Sequence, residues 1–124
     1  MSFKSPLGKA IGLGSAKHGF SHWWLQRVSA VALIPLSLWF VFSIVSLIQG
    51  DYETVVVFFD SPIQTSLMLI FVLVLIFHAQ TGLQVVIEDY IHKKSINLIM
   101  LYGVKFLSAL MAVLAVVSIF RIGV

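Results

Sequence analysis

From Ile63 to Ile87 the chain carries no aspartate, glutamate, lysine or arginine, and the runs Trp23 to Ile48 and Ile96 to Phe120 each hold only one, Arg27 and Lys105. An α-helix needs about 20 apolar residues, at about 1.5 Å rise each, to cross the ~30 Å hydrocarbon core of a bilayer. Three such runs predict an all-α integral membrane protein whose three transmembrane helices cover about 23–48, 63–87 and 96–120. At 60% hydrophobic and 10% charged residues, with a mean hydropathy of +1.04, the chain lies outside the range of soluble domains. Residues 1–124 read as one membrane domain.

The lead, about residues 1–22, is a polar, glycine-rich arm without the pattern of a signal peptide. Trp23 and Trp24 suit an aromatic belt at the membrane surface, Pro35 is expected to kink the first span, and Gly50 ends it. The link that follows holds Asp51, Glu53 and Asp60 with no lysine or arginine. Its apolar centre, Val55 to Phe59, is too short to cross, so it lies at the interface or begins the next helix, and Ser61-Pro62 is a start signal for the second span. Lys4, Lys9, Lys17 and Arg27 lie on one side and Lys93 and Lys94 return to it after two crossings. This bias puts the N-terminus inside and the C-terminus outside.

Several functions are excluded early. With no cysteine there is no disulfide, thiolate metal site or cysteine-ligated cluster, so a redox centre here must use histidine, methionine, tyrosine or carboxylate. The net charge of +3 comes from residues flanking apolar runs, which fits anionic lipid and membrane orientation and not nucleic acid. There is no phosphate loop, no nucleophile with a base and no three-ligand metal motif, so the chain is not a catalyst by itself.

The chemistry is concentrated in Ile70 to Lys94. On a helix His78, Gly82, Val85 and Asp89 share one stripe, and Asp89 is expected to point into the protein about 16 Å from His78 along the axis. A histidine at membrane depth is costly; an axial haem ligand, a proton relay and a polar clasp between helices are the three uses, and we place the ligand first. Gly82, one turn on, serves either helix packing or the flat space beside a porphyrin. Glu88, Asp89 and Tyr90 are ordinary interfacial residues on chemistry alone, although a tyrosine hydroxyl beside an acid could donate to a quinone carbonyl. Arg27 either snorkels to headgroups or pairs with a haem propionate, a role His22 could share, and Lys105 receives no role. A haem in a small bundle needs two axial ligands, and only one histidine here is deep, so the second must come from another subunit or another copy.

The run HAQTGLQVVIEDY, His78 to Tyr90, resembles the H-A-x-x-G-x-x-x-V-x-x-D-Y signature of the D-type hydrophobic membrane anchor subunits of succinate dehydrogenase, respiratory complex II. HWWLQRVSA, His22 to Ala30, resembles that family's entry to its first helix, and the three-span layout matches over nearly the whole chain. The sister cytochrome b subunits usually carry an arginine-histidine pair where Gln84 and Val85 stand here, which favours the anchor type.

The resemblance implies a bundle shared with a homologous cytochrome b subunit. In it His78 would be an axial ligand of haem b, Arg27 and His22 would lie near its propionates, Tyr90 would donate to ubiquinone, and Asp89 would hold an arginine of the partner. It also implies flavoprotein and iron-sulfur subunits as partners, which deliver electrons from succinate, with this chain a non-catalytic anchor in the tricarboxylic acid cycle and the respiratory chain. The lack of an arginine-rich presequence leans toward a bacterial inner membrane over a mitochondrial one. A haem-free structural or assembly protein, in which His78 only clasps helices, is the alternative, and a proton-conducting transporter subunit is a weaker third.

Overall fold

A computed structural model describes the backbone of residues 17–122 and the side chains of 19–122, so most of the polar arm lies outside the described residues. The described residues form four helices: α1 (Lys17–Leu47), α2 (Tyr52–Asp60), α3 (Pro62–Tyr90) and α4 (Lys94–Ile122). Three of them, α1, α3 and α4, are long and apolar enough to cross a membrane. Each is apolar all round, as expected where lipid replaces water, because a lipid-facing surface gains nothing from polarity.

Helix α1 starts at Lys17, several residues before the apolar run begins at Trp23. Hydropathy marks where a segment becomes immersed, whereas helix formation requires only that backbone groups pair i to i−4, so a polar turn can precede the membrane. His22 therefore sits on a helix and not on an arm. Pro35 lies within α1, which continues to Leu47.

The acidic link folds as the separate short helix α2. Asp51 caps it, accepting from the Thr54 backbone N–H at 3.0 Å and from the Thr54 hydroxyl at 2.8 Å. These bonds, the backbone one first, hold the Asp51 carboxyl below its ordinary value of 3.8. A lowered folded pKa means the cap contributes above the ordinary value and is lost as pH falls through the lowered one. We expect the Thr54 amide resonance to move on acidification in that range, and Asp51→Asn to abolish the movement. Ser61 stands at the N-cap of α3 with Pro62 in its first turn, as the sequence signal implied.

The three spans form a row with α3 in the middle: α3 packs on both α1 and α4, which barely meet each other. The apolar core of the row, Met68, Phe71 and Ile119, gathers at the α2 end. There Phe40 stacks on Phe71 at 4.6 Å between centroids, and Phe58 of α2 stacks on Trp39 at 6.5 Å. At the other end Asn97 of α4 donates from Nδ2 to the carbonyls of Ile87, at 3.2 Å, and Ile91, at 2.9 Å. The Ile87 carbonyl already accepts the Ile91 N–H at 3.0 Å, so the Asn97 amide adds a second bond there and satisfies the Ile91 acceptor just past the end of α3. A row leaves two broad apolar faces uncovered, so lipid or another subunit must cover the helix that carries His78.

Candidate functional site

Helices α1 and α3 run antiparallel, and polar side chains three residues apart on one meet polar side chains three apart on the other. Ser29 Oγ lies 2.9 Å from His78 Nδ1, and the Thr81 hydroxyl donates to Gln26 Oε1. Thr81 also reaches the carbonyls of Phe77 and His78, each at 3.0 Å. Ser29 and Thr81 are 6% and 3% exposed, so these contacts are shielded inside the pair of helices. Nearer the core, Trp39 Nε1 donates to Gln64 Oε1 at 3.2 Å. In lipid such bonds contribute about 0.6 kcal/mol each on average, and together they fix the helix register.

Beside the Ser29–His78 contact lies a cavity of about 470 Å³ formed by α1 and α3 alone. His22, Gln26 and Arg27 line it from α1, and His78 and Gly82 from α3. Among the described residues His78 turns only its Nδ1 to a protein partner, and Nε2 makes no hydrogen bond with them. The His22 Nε2 atom is buried with no hydrogen-bond partner. The Arg27 guanidinium sits over the Trp23 ring at 5.6 Å, a contact worth about 0.5–1 kcal/mol at an exposed site, which pins the cation to the cavity wall. A Cβ added at Gly82 would meet only Gln26 Nε2, at 3.7 Å. Among the described residues no helix backbone crosses at this glycine, so it serves no close packing between the helices of this chain and keeps space open there.

The structure thus brings His78, Arg27 and His22 to one cavity and leaves Asp89 and Tyr90 out of it. Both are exposed at the end of α3, Tyr90 at 79%, so the expectation that Asp89 points into this chain is corrected. Glu88 accepts from Gln84 Nε2 at 2.8 Å, whereas Asp89 has no bonded partner among the described residues. Two carboxylates in the last turn face the negative end of the helix dipole, and no basic residue offsets them there. Each such placement costs about 0.3–1 kcal/mol at low ionic strength. Among the described residues no three acidic, histidine or cysteine side chains gather as a metal-binding group.

The sequence reading missed Gln26, Ser29 and Thr81. Their signal was present as the two i, i+3 polar pairs inside apolar spans, but pairing them needs the helix register.

Over residues 1–120 the chain matches the succinate dehydrogenase/fumarate reductase transmembrane subunit family. It belongs to that family. It is 36% identical over 121 residues to the succinate dehydrogenase hydrophobic membrane anchor subunit of Rickettsia bellii, covering 98% of this chain and 97% of the relative. The subunit of the same name from Paracoccus denitrificans is 32% identical over 123 residues, covering 99% of this chain and 95% of the relative. No solved structure matches the chain at the same level of significance. As a member of a transmembrane subunit family, the chain is a multi-pass membrane protein, in keeping with its three long apolar helices.

Proposed function

We propose that this chain is the hydrophobic membrane anchor subunit of a succinate:quinone oxidoreductase, tethering the flavoprotein and iron-sulfur subunits to a bacterial cytoplasmic membrane. It contributes half of a haem b site and part of a ubiquinone site. The names and near-full-length identity of the Rickettsia and Paracoccus relatives support the anchor role. Succinate oxidation belongs to the partner subunits, and this chain is non-catalytic. The lysine bias supports an inward N-terminus.

The observation that carries the haem half is the free Nε2 of a half-buried histidine in a cavity that also holds an orphaned buried imidazole nitrogen and a cation. These residues fit a porphyrin. His78 offers the axial nitrogen, Gly82 leaves room for the flat ring, and Arg27 and His22 suit the propionates. A porphyrin brings its own four nitrogens, so one histidine is the fitting contribution from one chain, with the second from a cytochrome b subunit. When bound, haem b supplies a one-electron store near the quinone. Tyr90 donates a hydrogen bond to the quinone oxygen that gains charge on reduction, and Asp89 holds an arginine of the partner beside it.

One observation favours the haem-free reading: the His78–Ser29 contact is itself a clasp between α1 and α3. A clasp uses one ring nitrogen and leaves the other, and the cavity, without a purpose. The quinone half is tested by Tyr90→Phe in the purified complex. Loss of one hydrogen bond to a developing charge, about 1.5–3 kcal/mol, lowers quinone reduction by about ten- to a hundredfold. Reduction of a soluble dye that takes electrons upstream stays unchanged. Equal loss of both activities, or neither, contradicts the assignment.

A further inference from the structure

Ser29 lies between two groups that compete for a single hydroxyl proton. Its Oγ is 2.9 Å from the Gln26 carbonyl oxygen, one turn back on α1, and 2.9 Å from His78 Nδ1. A carbonyl oxygen can only accept, so the first contact is a hydrogen bond only if Ser29 donates its proton there. Were the proton turned to Nδ1 instead, two oxygens would face each other at 2.9 Å with no hydrogen between them, in a site where Ser29 is 6% exposed and water has little access. With the proton on the Gln26 side, Ser29 Oγ presents a lone pair to the imidazole, and the contact is bonding only if Nδ1 carries hydrogen. A neutral imidazole carries one N–H, so Nε2 is then left as a bare lone pair.

We infer that Ser29 is a positioning residue that holds His78 in its Nδ1-protonated tautomer and fixes the ring plane, so that a metal-binding lone pair faces the cavity. The consequence rests on the haem reading given above, but the tautomer itself does not. A histidine whose Nδ1–H is held by an oxygen acceptor is the arrangement that orients metal-bound imidazoles and raises their basicity. Here the acceptor comes from a different span, so the seating of α1 on α3 governs the ligand. A serine in an apolar helix ordinarily bonds back to its own carbonyls and has no further effect. This one has a second partner, 49 residues away.

The test is nitrogen-15 NMR of the full-length chain in lipid, labelled at histidine, for wild type, Ser29→Ala and Ser29→Thr, with His78 assigned by its absence in His78→Gln. The expected wild-type His78 shows a protonated Nδ1 and an unprotonated Nε2. Ser29→Ala should move the proton off Nδ1, and Ser29→Thr, which keeps the hydroxyl, should restore the wild-type pattern. In the assembled complex Ser29→Ala should weaken haem retention by about 10–100-fold and shift its midpoint potential, with Ser29→Thr close to wild type. A wild-type His78 protonated at Nε2, or a tautomer and potential unmoved in Ser29→Ala, overturns the inference even if thermal stability falls. A complex without haem in the wild type defeats the haem reading alone, since the resonances still decide the tautomer.

Discussion

If His78 holds haem as proposed, replacing it with alanine should abolish the b-type absorption band of the complex while the three spans stay in place. The magnitudes separate the two effects. Among the described residues the side chain makes one hydrogen bond, to Ser29, and bonds of this kind between membrane helices are worth about 0.6 kcal/mol, with a maximum near 1.7. Alanine is the best helix former, so α3 suffers no further cost, and domains with stabilities of about 5–15 kcal/mol survive such a loss. An axial ligand has no substitute here, because His22 lies on α1 with Arg27, on a different wall of the cavity. Haem content should therefore drop to background, with the helical circular-dichroism signal and the membrane level of the chain near wild type. A haem band that survives in His78→Ala would reduce the histidine to a clasp.

Gly82 gives a second large effect, with stability and haem binding moving in opposite directions. A methyl group at this position meets only Gln26 Nε2 at ordinary contact distance, so Gly82→Ala fits the chain without strain. Alanine in place of a helical glycine stabilises by about 1 kcal/mol. The apoprotein should thus melt at an equal or higher temperature. Gly82→Leu projects a larger side chain into the cavity, and overpacking of about 1–3 kcal/mol weakens a ligand seated there by about ten- to a hundredfold. We expect haem content to fall in the order glycine, alanine, leucine while the thermal midpoint does not fall. Parallel loss of both would mean that Gly82 serves helix packing, with another subunit against it.

The three spans were legible because lipid imposes one rule along their whole length: every backbone group must be paired within the segment. Three apolar runs can then only be helices, and their length with at most one charge each is plain in the sequence. Helix α2 was less legible. Its Val55 to Phe59 core is too short to span, and what makes it a helix separate from the next is the extended backbone of Ser61 ahead of Pro62.

The row arrangement was not legible, because helices apolar on every side carry no stripe to say which face meets which. His78 stood out as a polar residue at depth. Its partner Ser29 did not, because serine is common in membrane helices and only the antiparallel register brings α1 against α3 at this level. Asp89 was misread for a related reason. Helical spacing assigns a shared stripe, but it cannot say how closely a neighbour covers that stripe at each level, and Asp89 stands exposed.

As proposed above, this chain brings one histidine to a haem shared across the membrane part of a succinate-oxidising complex. The most direct test of this is a reduced-minus-oxidised visible spectrum of the complex purified through the wild-type chain, with succinate as the reductant. The account expects flavin and iron-sulfur subunits to copurify and a b-type band to be present. Copurifying subunits without that band would contradict the haem site, and a chain that brings down neither would contradict the anchor role as well.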